Sequence, residues 1–143
     1  MTLERVSGAT MKQFLIVTAI LECAVGVALL AVPARLASIL VGGSLDTPAA
    51  LVVARLAGVA LLSLGGACWA GSRDSEGRVA IGIVAAMLLY NIAAATVLVS
   101  ARFCQGMTGI GLLPAAVLHV SLAVWCAACL NGMRAARAST NVR

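Results

Sequence analysis

Four apolar runs of about 20 residues, the length that spans a hydrocarbon core, take up most of this 143-residue chain, at 12–32, 48–71, 79–101 and 112–132. In lipid, backbone N–H and C=O groups must be satisfied within the protein, so a run of this length is expected to be a helix. A water-soluble globule is excluded. The chain is 62% hydrophobic and 10% charged, whereas a soluble domain carries about 25% charged residues, and a chain this small cannot bury so large an apolar surplus in its own core. Aromatic residues make up only 3%. The surplus is therefore Ala, Leu, Val and Gly, which suits closely packed helices better than the aromatic-girdled strands of an outer-membrane barrel. The expected fold is an all-α, integral-membrane four-helix transmembrane bundle, one domain over 1–143.

The boundaries between the runs have their own signals. Pro33 closes the first, and Asp46, Thr47 and Pro48 provide a cap with Pro at the first position of the second. The polar stretch 73–78 separates the second from the third, and Pro114 falls in the first turn of the fourth, where its missing N–H costs little. Residues 34–41 (ARLASILV) are apolar but too short to span, which predicts a short interfacial helix ending at Gly42 and Gly43. Residues 102–110 are expected to be irregular, and 133–143 to form a basic cytoplasmic tail. The first run is read as a retained span, not a secretory signal, because it exceeds an h-region in length and carries Glu22 at its centre.

Ten basic residues against five acidic give a formal charge of +5, but the basic residues are scattered singly, without the stripe and interleaved aromatics of a nucleic-acid surface. They bear on topology instead. With both termini on one side, that side holds Arg5, Lys12, Arg73, Arg78, Arg134, Arg137 and Arg143, and the other holds Arg35 and Arg102. The positive-inside rule then predicts a multi-pass protein of the cell (inner) membrane with both termini cytoplasmic. Five cysteines, an odd number, argue against a secreted disulfide framework. Cys126 and Cys129 form a C-x-x-C pair within an apolar run, read as packing and not as a redox centre, since the opposite membrane side offers only Cys104 as a shuttle. A single His rules out bis-histidine haem ligation within one chain. No metal or cofactor is expected.

One polar residue interrupts each run: Glu22, Arg55, Asn91 and His119. At about 1.5 Å of rise per residue they fall roughly 15 to 21 Å from the cytoplasmic helix ends, in one layer. An ionisable group at that depth costs at least about 2.5–3.5 kcal/mol, so each is expected to face the interior and find a partner. Small residues share their faces. Thr18, Glu22 and Gly26 make one stripe, Arg55, Gly58, Leu62 and Gly65 another, and Met87, Asn91 and Ala94 a third. Two readings are open. In one, Glu22 pairs with Arg55 and Asn91 bonds His119 simply to fix register. In the other, the four line a hydrated cavity in which Glu22 and His119 exchange protons and Arg55 holds an anionic or carbonyl group.

The sequence Arg55, Leu56, Ala57, Gly58 resembles the Arg-Leu-x-Gly helix start of DoxX-like small bacterial membrane proteins. That resemblance implies a four-helix bundle and assigns no chemistry. The functional expectation is a protein that binds or carries a small anionic or amphipathic molecule, with Glu22, Arg55, Asn91 and His119 as ligand-binding or proton-relay residues and no catalytic set. Two others stand beside it: an accessory subunit of a larger membrane complex or homo-oligomer, seated through small residues such as Gly65 and Gly66, and a membrane enzyme using Glu22 and His119 on a lipid.

Overall fold

The computed structural model describes residues 3–75 and 77–140. Its helices are α1 (Leu3–Ala31), α2 (Pro33–Val41), α3 (Pro48–Gly71), α4 (Arg78–Phe103) and α5 (Leu112–Thr140), with a 3₁₀ turn at Ser72–Asp74 between α3 and α4. The described residues contain no strand. Four of the helices are long and apolar enough to cross a membrane. Their surfaces agree with that role, since Val53, Leu89, Val97, Val117 and Val124 stand at 65–70% exposure on the outside of the bundle. The chain is an all-α four-helix membrane bundle.

Several boundaries follow the local chemistry. The Thr47 hydroxyl accepts the Ala50 amide at 3.1 Å, and Pro48 opens α3, where its missing N–H would have been unsatisfied in any case. Helix α2 stops at Gly42, whose φ of +76° lets its N–H turn back to the Ser38 carbonyl at 3.0 Å. Two ends differ from expectation. Helix α1 begins at Leu3 instead of residue 12, and α5 runs on to Thr140 instead of giving way to a tail at 133. Nothing after Gly132 breaks a helix, because Ala and Arg dominate that stretch and both are strong helix formers. The first turn of this extension is also packed, with Met133 at 8% and Ala136 at 3% exposure. Residues 141–143 of the expected tail lie outside those described.

Packing divides the bundle into two helix pairs, α1 with α3 and α4 with α5. The first pair closes backbone on backbone. A methyl group added at Gly58 would stand 2.8 Å from the Gly26 carbonyl oxygen, and one at Gly26 would stand 2.8 Å from the Gly58 carbonyl. One helical repeat further on, a methyl at Gly65 would meet the Ala19 carbonyl at 3.1 Å. Without hydrophobic driving force between helices in lipid, such close approach is what holds two of them together. The pairs meet through α1 and α5. There Phe14 stands edge-on to Trp125 at 5.6 Å between ring centroids, and Met11, Leu15, Val84, Met87, Leu122, Cys126 and Cys129 fill the surrounding core. This core sits at the end of the bundle where both terminal segments and the α3–α4 turn converge. At the opposite end, the Gly111 amide donates to the Ile39 carbonyl at 2.9 Å, tying α2 to the loop that leads into α5.

A graded pair of substitutions tests the glycine crossing. Gly58→Val should destabilise the protein by about 1–3 kcal/mol, the usual cost of overpacking. Gly66→Ala, where an added methyl meets nothing within 4 Å, should leave stability unchanged or raised. Thermal unfolding of the two variants in detergent distinguishes them, and equal effects would remove the crossing from its central place.

Candidate functional site

Just beyond the core, α1, α4 and α5 bring their polar residues together. Asn91 is fully buried on α4. Its Nδ2 donates to the Met87 carbonyl one turn back at 2.8 Å, and since a carbonyl only accepts, this fixes which way the amide faces. Oδ1 is thereby left to meet His119 Nδ1, at 2.8 Å. An amide oxygen also only accepts, so Nδ1 carries the proton and donates, and in the neutral ring Nε2 holds the lone pair. The bond expected between Asn91 and His119 is present, and it selects the tautomer.

Tyr90, the neighbour of Asn91, faces His119 edge-on with ring centroids 5.6 Å apart. Its hydroxyl lies close enough to the carboxyl group of Glu22 for the two to interact, and Glu22 is 5% exposed on α1. A continuous polar chain therefore runs from Glu22 through Tyr90 and His119 to Asn91, from one helix pair to the other. Tyr90 was not among the residues singled out from sequence. The signal was there: it is the only Tyr in the chain, and it lies mid-span, not in the interfacial belt where Tyr collects.

Arg55 does not join this group. It is exposed on α3 and, among the described residues, makes no ion pair with Glu22. The pairing of these two residues, one of the two readings open from the sequence, is therefore not formed. The reason is volume. Arg55 shares its stripe with Gly58, where the α1 and α3 backbones approach closely, a crossing that favours small side chains over long ones. Helical side chains also lean toward the N-terminus. Arg55 lies seven residues inside α3, about 10 Å from its start, a depth from which an arginine is long enough to snorkel to the near membrane surface.

Thr18, one turn before Glu22 on the same stripe, adds a second feature. Exposed hydroxyls on the outer faces are satisfied by their own helices: Ser63 donates to the Val59 carbonyl at 3.0 Å, Thr96 to Ile92 at 2.8 Å and Ser121 to Val117 at 2.9 Å. Thr18 is completely buried, yet its Oγ1 has no hydrogen-bond partner among the described residues. A buried hydroxyl left so costs about 1–3 kcal/mol.

Few contacts join α3 to α4, and a cleft of about 530 Å³ opens between them, lined by Ala60, Leu61, Ser63, Leu64 and Ala67 of α3 and by Tyr90 of α4. A larger cleft of about 610 Å³ runs along α4 and α5. Its walls hold no carboxylate or imidazole, and its Thr96 hydroxyl is already engaged, so it offers no polar chemistry comparable to that behind Tyr90. Cys68, Cys126 and Cys129 are buried in the core as free thiols, and no three His, Cys, Asp or Glu among the described residues are grouped to hold a metal ion.

No family model, curated protein or solved structure matches the chain.

Double-mutant cycles separate the interior chain from the outlying arginine. Asn91→Leu combined with His119→Leu should show a coupling of about 0.6–1.7 kcal/mol, the range found for hydrogen bonds between membrane helices. Glu22→Gln combined with Arg55→Met should couple near zero. A large coupling in the second cycle would restore the ion pair.

Proposed function

We propose that this chain is a binding or carrier protein for a small amphipathic molecule held inside the bilayer, with proton linkage through Glu22 and His119. The observation that carries the reading is the polar chain from Glu22 to Asn91, set within an apolar bundle and reaching an open cleft at Tyr90. Structural polar residues in membrane helices need only be mutually satisfied. Here Thr18 keeps an unengaged hydroxyl, and His119 keeps an Nε2 lone pair that no donor among the described residues meets. Intramembrane ionisable residues with spare hydrogen-bonding capacity suit a site better than a staple.

Two groups that change protonation, Glu22 and His119, lie on either side of Tyr90. A ligand engaging either group changes the proton affinity of that group, and by linkage protons change the affinity for the ligand. The dense core on the terminal side excludes access from that direction, so entry is from the α3–α4 cleft. The membrane assigned to the chain is the cell membrane, with both termini cytoplasmic, on the strength of the seven-to-two distribution of basic residues.

Ligand-induced thermal stabilisation across roughly pH 5 to 8, where an ordinary His changes charge, tests the proposal. Amphipathic probes should stabilise the protein in a pH-dependent manner, and that dependence should shrink in both Glu22→Gln and His119→Gln. A pH-independent response in the unmodified protein would overturn the linkage. For topology, a reporter active only outside the cytoplasm and fused after Arg143 should be silent.

A further inference from the structure

The charge left inside the bundle has one sign. Glu22 is buried, whereas none of the Lys and Arg side chains described is. The titratable groups near enough to interact with the Glu22 carboxyl are the Tyr90 phenol on α4 and the Cys68 thiol on α3, with Cys23 of α1 and Cys126 of α5 near Cys68 and His119 of α5 edge-on to Tyr90. None of these is a permanent cation. An anionic ligand would meet a carboxylate and no counter-charge, at a depth where an unpaired charge is costly. A cation would meet a counter-ion, the unengaged Thr18 hydroxyl one turn away, and the Tyr90 ring, whose face attracts cations.

Resting on the binding-site reading above, the geometry points to a lipophilic organic cation, such as a quaternary or protonated amine, as the ligand, entering sideways from the hydrocarbon between α3 and α4 and pairing with Glu22. The cleft supplies an apolar wall of Ala60, Leu61, Leu64 and Ala67 for the body of the molecule. Tyr90 both lines that cleft and interacts with the carboxyl group, so the head of the ligand reaches Glu22 past its ring. The cation takes the place of the carboxyl proton, which leaves to solvent. Protons and ligand therefore compete for one group, and affinity rises with pH. The role first read for Arg55, holding an anion, is absent from the interior, and the preferred charge of the ligand is inverted.

Tetraphenylphosphonium and tetraphenylborate are nearly isosteric ions of opposite charge that do not titrate, and they test this with the full chain in lipid nanodiscs, corrected for partition into empty discs. The phosphonium should bind at least about tenfold more tightly, its affinity rising by up to about tenfold per pH unit where Glu22 titrates, with release of up to one proton per ion bound. Glu22→Gln should remove the preference and the proton release. Ala67→Phe, at an exposed position on the cleft wall, should weaken phosphonium binding while Glu22 remains intact. Equal or tighter borate binding, or phosphonium binding unaltered by Glu22→Gln, overturns the cation assignment. If uncharged amphipaths still stabilise the protein in a pH- and Glu22-dependent way, only the ligand class fails. If no probe of either charge or none does so, the site itself fails with it.

Discussion

The contact of α1 with α3 through Gly26 and Gly58 governs much of what surrounds it. Two helices whose backbones touch leave no space between them for long side chains. Arg55 is thereby displaced to the outside, while the small residues that permit the contact place Thr18 and Glu22 on the flank of α1 that looks toward the second pair. Because α1 also carries the packing onto α5, α3 needs little support from α4. The cleft between α3 and α4 is the geometric remainder of this arrangement. A bundle with four equal interfaces would have buried Tyr90 more deeply and sealed off the carboxylate.

The helices were legible in the sequence because hydropathy over about 20 residues is a strong, one-dimensional signal and lipid permits few alternatives. Capping at Thr47 and the stop at Gly42 were equally readable, since both are local chemistry. Of the four polar residues, Asn91 and His119 do meet in a hydrogen bond, while Glu22 has the neighbouring Tyr90 as its partner. Depth did not reveal azimuth. The stripe through Arg55, Gly58, Leu62 and Gly65 identified the contact face of α3, but it did not indicate that the centre of that face was too tight for its own arginine. Tyr90 escaped notice for a related reason: an aromatic residue in an apolar run blends with its neighbours until its hydroxyl is seen against a carboxylate.

The polar chain itself shows how directionality arises from simple inventory. An amide has a donating end and an accepting end, and the Met87 carbonyl takes the first. Everything downstream is then fixed, including which imidazole nitrogen bears hydrogen. A fully buried asparagine, usually regarded as a cost in an apolar setting, here acts as an orienting device for the only histidine in the chain.

The two ends of the molecule are fastened very differently. At one, rings and sulfur-bearing side chains interlock in a core. At the other, the Gly111 amide reaches the Ile39 carbonyl and the backbone at Gly109 closes directly on Leu40 and Gly42, so the short second helix and the loop beyond Phe103 are joined main chain to main chain. Mechanically the protein is a clothes-peg, with its spring at the termini and its jaws at the far face. Splaying the jaws parts main-chain groups that water at the membrane surface can solvate, whereas prising apart the spring would expose packed side chains together. The compliance of the structure is thus concentrated at one face of the membrane, and any widening between the third and fourth helices starts there.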